Sequence, residues 1–278
     1  MCSGDPGVTL SVMLIRAAFA FCVLFVCDSA SAGELVIPGT GDGLEMLRHL
    51  GSAYSEKNPG TNVVVPASTG SGGGKISVAQ DRTILARIAV PLTASEEAVG
   101  IVAVPIVRVP TAFFTHPSLG IDNLTSQQTA GIFAGKIRSW NEIGGPDVRI
   151  RVVRREDADS TLLVLRATIP EWKDLVFTDR SKTAVTTQEA FETVAQFEGA
   201  IGFGPYSPAI EQQFHVLKVD GKHPTNIGYP SFTTIRLIFK RGGLTKEAEA
   251  FVKFSRSTEA EQIFVRYGGV PERSPGIQ

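Results

Sequence analysis

Residues 68–75 read Ser-Thr-Gly-Ser-Gly-Gly-Gly-Lys and follow a short β-branched run, Val63-Val64-Val65. Because glycine has no Cβ, a turn of this composition brings backbone N–H groups close to a ligand. The N-terminus of a following helix adds unpaired donors and a partial positive charge, which suits an anion. The stretch therefore predicts either an anion-binding turn, with Ser71, Gly72 and Gly73 as contacts, or a turn that serves packing alone.

The same stretch does not form a nucleotide-binding P-loop. That motif requires Gly, four residues and then Gly-Lys-Ser/Thr, so that the hydroxyl reaches magnesium. Here Thr69 stands at the place of the first glycine, and Ile76 follows Lys75. We therefore do not expect a bound nucleotide at this turn.

The composition limits the kind of partner. The chain has 278 residues, 43% of them hydrophobic, which is enough for a substantial core in one or two domains. It carries 27 basic and 28 acidic residues, so no broad surface for nucleic acid or for membranes is indicated. Affinity for an anion must then be local, which favours a pocket over a charged patch.

The first 32 residues have the order of a secretory signal peptide. An apolar run at 17–26 follows Arg16 and precedes the small-x-small site at 30–32. The run is shorter than the roughly 20 residues needed to span a bilayer. We expect cleavage after Ala32 and a periplasmic location, with an N-terminal anchor helix as the alternative and Met13 as an alternative start.

The three cysteines, Cys2, Cys22 and Cys27, all precede the expected cleavage point. The mature protein should therefore have no disulfide and no thiolate metal site. Two bulky residues precede Cys27 where small ones are needed for lipidation, so lipidation is not favoured. The four histidines are scattered without zinc-site spacing, and neither a metal nor another cofactor is expected.

Strand-like and helix-like segments alternate along the chain. Residues 34–38 are typical of a strand, and Asp42 with Glu45 has the capping-box spacing at the start of the next helix. Such alternation predicts a parallel α/β sheet, whose ligands bind beyond the carboxyl ends of its strands. The turn containing Thr40, Gly41 and Asp42 should therefore converge with the glycine-rich turn.

A second polar stretch follows the strand predicted at 150–153. Arg155 offers a planar fork suited to oxyanions, and Asp159, Ser160 and Thr161 begin a helix whose hydroxyls add donors. The alternative is a solvated charged turn with an ordinary N-cap. Two turns of this kind in one chain favour anion binding.

Together these stretches resemble the phosphate-binding proteins of ABC importers, within the periplasmic binding-protein superfamily. The similar segments are GTGD (39–42), STGSGGG (68–74), LTSQQTAGIFAGKIRSWNEIGGPD (124–147), IRVVRREDADST (150–161) and GAIGFGPYS (199–207). The resemblance implies an α/β, two-lobed fold of type II, in which each lobe is a mostly parallel sheet flanked by helices. Two hinge strands join the lobes, which close over the ligand. We predict lobe I at 33–110 plus 229–278 and lobe II at 111–228.

The resemblance also assigns the anion contacts, namely Thr40, Gly41, Asp42, Ser71, Arg155, Asp159, Ser160 and Thr161. Two positions depart from the family pattern. Ala89 stands where phosphate binders carry an aspartate that accepts the ligand's proton, and Asp159 stands where they carry a serine. Our hypothesis is that Asp159 either takes over the acceptor role or only caps its helix, facing away from the pocket.

The expected function is capture of phosphate or a related oxyanion by a monomeric, non-enzymatic protein that delivers it to an ABC transporter permease. The alternative is a non-transport binding or sensor module of the same fold with a changed ligand. A hydrolase with Ser71 as nucleophile is not favoured, because Gly70-Ser71-Gly72 lacks the G-x-S-x-G spacing of a nucleophile elbow.

Overall fold

The computed structural model of the protein describes residues 33–272. The predicted signal peptide lies outside these residues. The strands are β1 Gly33–Val36, β2 Thr61–Val64, β3 Ala86–Ile88, β4 Ile101–Thr115, β5 Asn123–Leu124, β6 Arg151–Arg155, β7 Lys182–Ala184, β8 Ala200–Pro205, β9 His215–Val219, β10 Phe232–Lys240 and β11 Val270–Pro271. The helices are α1 Leu44–Lys57, α2 Gly70–Ala79, α3 Ala94–Ala98, α4 Ser126–Phe133, α5 Ser160–Thr168, α6 Thr187–Gln196, α7 Lys246–Phe254 and α8 Thr258–Arg266.

Strand pairing separates two long strands from the rest. The pairs β1–β2, β5–β9, β6–β7 and β6–β8 are parallel, whereas each antiparallel pair among the described residues contains β4 or β10. Parallel neighbours with intervening helices are what the strand-helix alternation predicts. The α/β, periplasmic binding-protein-like fold class is therefore confirmed, with the antiparallel pairs confined to the long strands.

Strand β4 runs through both halves of the sheet. Its first part pairs with β10, from Ile101 opposite Lys240 to Pro110 opposite Phe232, and its last five residues pair with β8. The register with β10 shifts next to Pro105. Proline has no N–H for the ladder, so a bulge at this point is expected. These two long strands are the candidates for the two hinge strands that the resemblance implies.

Two large hydrophobic clusters lie on either side of this crossing. One combines α1, α7, α8 and the first part of β4, with Leu50, Val107 and Phe251 fully buried. The other surrounds Trp140 and Trp172, which are also fully buried. This division of the core supports the proposed lobe boundaries, which stay a prediction.

Helix capping follows the sequence in one place and departs from it in another. Thr125 and Gln128, which have the capping-box spacing in the sequence, form a capping box at the start of α4. The capping box predicted for Asp42 and Glu45 is wrong, because α1 begins at Leu44 after Gly43, which has a left-handed backbone and provides no side-chain cap. Asp42 is thereby released for other contacts.

The glycine-rich stretch is also more regular than predicted. Residues from Gly70 onward already belong to α2, so the glycines form the first turns of the helix and not a loop before it. A Cβ at Gly74 would lie 2.9 Å from the carbonyl oxygen of Arg87, so a glycine there permits close packing on β3. Within residues 33–272, no helix is long and apolar enough to cross a membrane.

Candidate functional site

Asp42 and Ser160 bring the two predicted binding turns together. The Ser160 hydroxyl, at the start of α5, donates a hydrogen bond of 2.5 Å to Oδ2 of Asp42, 118 residues earlier in the chain. Both side chains are buried. The first turn also touches the glycine-rich stretch, because the Thr69 N–H donates to the Gly39 carbonyl at 2.9 Å. All three stretches singled out in the sequence therefore meet.

Thr40 holds the first turn in shape. Its hydroxyl oxygen accepts from the N–H of Asp42 at 3.2 Å, and its own N–H donates to the Arg87 carbonyl at 3.1 Å. Because that N–H already has a protein partner, it is not free for a ligand. Gly41, the next residue, faces Ser68 and Thr187: a Cβ there would lie 3.1 Å from the hydroxyl of Ser68 and 3.8 Å from that of Thr187.

Arg87 is a site residue that the sequence analysis missed. Its side chain is completely buried and donates to three backbone carbonyls: Nε to Thr40 at 2.7 Å, Nη2 to Pro66 at 2.8 Å, and Nη1 to Ile37. Burial lowers the pKa of this guanidinium to about 10, with a smaller contribution from Arg48. A positive charge therefore lies directly behind the first turn and ties it to the end of β2.

Ser71 joins the glycine-rich helix to the end of β3. Its hydroxyl oxygen accepts from the N–H of Ala89 at 3.0 Å, which leaves the hydroxyl hydrogen available to another partner. Gly72 and Gly73 lie in the first turns of α2. A Cβ on Gly73 would lie 2.7 Å from the Thr69 side chain, so this glycine serves local packing, whereas a Cβ on Gly72 would meet open space.

Arg155 is the arginine that presents donors to the cleft. It stands at the end of β6, 6% exposed, and its Nη2 donates to Asp159 at 2.7 Å and to the Val185 carbonyl at 3.3 Å. Its Nε and Nη1 are buried and have no hydrogen-bond partner within residues 33–272. Buried guanidinium donors without a partner are costly, which indicates that a ligand supplies the acceptor.

Both carboxylate oxygens of Asp159 accept hydrogen bonds from the protein. Its Oδ1 accepts from the N–H groups of Thr161 and Leu162, both at 3.1 Å, and its Oδ2 accepts from Arg155. It is thus the N-cap of α5 and the ion-pair partner of Arg155. These contacts support the capping half of our hypothesis about Asp159. Oδ2 accepts only one hydrogen bond and, as a carboxylate oxygen, can accept another, so the acceptor half of the hypothesis stays a prediction.

Comparison with known protein families identifies the family of this chain. A family model described as a PBP superfamily domain matches residues 28–259, most of the chain. The chain belongs to the PBP superfamily.

Individual members of the PBP superfamily are similar along most of their length. The phosphate-binding protein PstS of Bacillus subtilis (strain 168) is 25% identical over 280 residues, which cover 92% of this chain and 91% of that protein. An ABC transporter substrate-binding protein structure from Clostridium perfringens, with bound phosphate, has a TM-score of 0.78 at 23% identity, covering 87% of this chain and all of the other. An ABC-type phosphate transport receptor from Vibrio cholerae has a TM-score of 0.65 at 20% identity, with 86% of this chain and all of that one covered.

Asp42 distinguishes the electrostatics of this PBP superfamily member. Burial raises the pKa of its carboxyl to about 6, and the negative charge of Asp159 adds to the increase. Hydrogen bonds from Ser160 and Thr40, and the charge of Arg155, act in the opposite direction. Asp42 is therefore the carboxyl group in the site that changes protonation near neutral pH. The described residues contain no cluster of three or more His, Cys, Asp or Glu side chains suited to a metal ion.

Proposed function

We propose that this protein captures phosphate or a related oxyanion between its two lobes and delivers it to an ABC transporter permease. The observation that carries the proposal is the pair of buried Arg155 nitrogens, Nε and Nη1, that have no partner among residues 33–272. Charge-assisted hydrogen bonds from a guanidinium to an oxyanion are among the strongest in proteins. The proposal assigns a binding role and no catalytic role.

Neighbouring groups favour an anion at this place. The N-terminus of α5 contributes a partial positive charge, and the Ser71 hydroxyl and Gly41 N–H lie on the opposite side. Arg87 adds a buried positive charge behind the first turn. The ligand contacts we propose are Arg155, the Ser71 hydroxyl, the Gly41 N–H, and Ser160 and Thr161 at the start of α5, whereas Arg87 acts through its charge alone.

The two carboxylates limit which anion is bound most tightly. Asp159 neutralises part of the charge of Arg155, and ionised Asp42 repels a second negative charge. An anion that brings a proton, or that binds while Asp42 is protonated, avoids this repulsion. We therefore propose that Asp42, and not Asp159, shares a proton with the bound oxyanion.

The relatives support delivery to a transporter. The Bacillus protein is named as a phosphate-binding protein and the Vibrio protein as a phosphate transport receptor. With the signal peptide predicted at residues 1–32, we propose that this protein acts as a monomer in the periplasm. Its partner there would be the permease of an ABC importer.

Isothermal titration calorimetry of the purified protein with phosphate, arsenate, sulfate and molybdate tests the binding step. We expect saturable binding of phosphate and arsenate, with weaker binding of sulfate, which carries no proton at neutral pH to share with Asp42. Absence of heat with all four anions, in protein shown to be folded by circular dichroism, would refute the proposal. Uptake of labelled phosphate by cells lacking the gene, and its recovery with the wild-type gene, tests delivery.

A further inference from the structure

A cavity of about 490 Å³ adjoins the proposed anion site. Its wall is largely apolar, with Leu44, Met46, Phe191, Pro205, Tyr206 and Tyr267, and it also includes the charged residues Glu45 and Arg48. Lining residues come from both predicted lobes: α1 lies on one side, α6 and the end of β8 on the other. A volume in the range of roughly 300–1,000 Å³ with apolar walls and a few polar groups is typical of a site for an organic molecule.

The cavity and the anion donors share a boundary on each side. Gly41 lines the cavity and directly follows Thr40, which Arg87 holds through its carbonyl oxygen. Across the cleft, Arg155 donates to the Val185 carbonyl, and Thr186, the next residue, lines the cavity. Arg155 does not itself line the cavity, but its Nη2 is one residue removed from the cavity wall, through Val185.

The size of the cavity exceeds what a simple oxyanion needs. A tetrahedral oxyanion of five heavy atoms occupies roughly two to three times the ~30 Å³ that one water molecule occupies in the liquid. An oxygen directed at Met46 or Phe191 would have no donor from those side chains, whereas a carbon substituent in the same direction would bury apolar surface. The wall thus favours an oxyanion in which a carbon substituent replaces one oxygen or is esterified to it.

We propose that the ligand of this site is a phosphonate or a phosphate monoester. Its oxyanion takes the free Nε and Nη1 of Arg155, and its apolar or aromatic substituent fills the cavity beside Gly41. The inference rests on the proposed function of the same site and specifies its substrate class. Position 41, at the edge of the cavity, suits glycine, because a Cβ there would lie 3.1 Å from the Ser68 hydroxyl.

Calorimetry with inorganic phosphate and with phenylphosphonate tests the inference on the full chain. We expect phenylphosphonate to bind at least about tenfold more tightly than phosphate, because its ring buries apolar surface that phosphate leaves exposed. Propylphosphonate should fall between the two. Benzenesulfonate, with the same ring and a different oxyanion, reports whether the ring alone suffices.

A substitution that fills the cavity provides a second readout. Ser207 lines the cavity, and Ser207→Trp should lower the ratio of phenylphosphonate to phosphate affinity by about tenfold or more. Glu97→Trp, which introduces the same bulk at an exposed position on α3, is the matched control and should leave the ratio unchanged.

The outcomes separate the two proposals. If phosphate binds and phenylphosphonate does not, or if Ser207→Trp leaves the ratio unchanged, the substrate class is overturned while the oxyanion function stands. Binding of benzenesulfonate as tightly as phenylphosphonate also overturns it. If neither phosphate nor phenylphosphonate binds, the proposed function itself fails.

Discussion

Each side of the cleft contains one buried arginine, and the two use their hydrogen-bond donors in opposite ways. On the side of the first turn, Arg87 gives Nε, Nη1 and Nη2 to three backbone carbonyls. On the other side, Arg155 gives only Nη2 to the protein, and its Nε and Nη1 have no partner among the residues that the structure describes. The first arginine builds the turn, whereas the second is available to a ligand.

The nearby carboxylates differ in the same sense. Asp159 pairs with Arg155 and caps α5, so its charge is compensated by fixed donors. Asp42 lies beside Arg87's turn but pairs with the hydroxyl of Ser160, and burial raises its pKa to about 6. Asp159, which has an ion-pair partner, positions Arg155. Asp42, whose partner is a neutral hydroxyl, can exchange a proton. Substitutions at these four residues should therefore have separable effects.

Replacing Arg87 should have the largest effect. Arg87→Met removes the donor to three backbone carbonyls, and each buried group left without a partner costs about 1–3 kcal/mol. We expect the free energy of unfolding to fall by at least about 3 kcal/mol, together with weaker anion binding because the Thr40 turn loosens. Urea denaturation followed by circular dichroism measures the first effect, and calorimetry in the folded range measures the second.

Arg82→Met is the matched control for Arg87, since Arg82 is exposed in the turn just before β3. Its stability should stay within about 0.5 kcal/mol of the wild type. Arg87→Lys can restore at most part of the network, because an ammonium cannot reproduce the planar fork. Wild-type stability in Arg87→Met would show that the turn does not depend on these bonds.

Arg155→Met should affect binding more than folding. It removes two free donors to the ligand and leaves Asp159 without its ion-pair partner, so anion affinity should fall by about 100-fold or more. Arg154→Met is the control from the same strand, because Arg154 contacts the Thr183 hydroxyl and the ring of Phe177. Equal losses of affinity in the two variants would exclude the special role of Arg155.

Much of the fold could be predicted from the sequence because the signals were local. The alternation of strands and helices, the Thr125 capping box and the long strand with prolines at 105 and 110 each depend on residues near one another in the chain. The failed capping box at Asp42 shows the limit of such signals. Its pattern was present, but a buried hydroxyl 118 residues away competes for the carboxylate.

The site was predictable only where residue type implied an exposed donor. Arg155 and Ser160 follow a strand at a helix start, a position typical of anion contacts, and the structure brings both into the cleft. Arg87 stands inside an apolar segment, Leu85-Ala86-Arg87-Ile88-Ala89. Its charge within that segment is the sequence feature that could have marked it as a site residue. Its partners are three backbone carbonyls from two other segments, and no side-chain pattern encodes those.

Asp42→Asn should change the pH dependence of stability. The folded-state pKa of Asp42, about 6, lies above its ordinary value of 3.8, so ionisation of this group opposes folding. The stabilising contribution of the protonated Asp42 carboxyl is fully present below pH 3.8 and is lost as the pH rises through about 6. We expect Asp42→Asn to be more stable than the wild type at pH 8 by on the order of 2–3 kcal/mol, and about equal at pH 4.

Urea denaturation at several pH values between 4 and 8 measures this difference. Asp174→Asn, which changes an exposed carboxylate, is the control and should follow the wild-type curve within about 0.5 kcal/mol. A difference between wild type and Asp42→Asn that does not vary with pH would contradict the raised pKa.

Substitutions of Asp159 should have the smallest effect and decide between its two possible roles. Asp159→Ala removes the cap of α5 and should cost about 1 kcal/mol in the free energy of unfolding, whereas Asp159→Ser keeps a capping oxygen and should cost less than about 0.5 kcal/mol. Both changes remove a negative charge beside Arg155, whose Nη2 still donates to the Val185 carbonyl. Anion affinity should therefore rise severalfold in both variants, with the pH dependence of binding retained but moved to lower pH, because the charge of Asp159 helps to raise the pKa of Asp42. A fall in affinity that appears only where the ligand carries a proton would instead make Asp159 the acceptor and remove that role from Asp42.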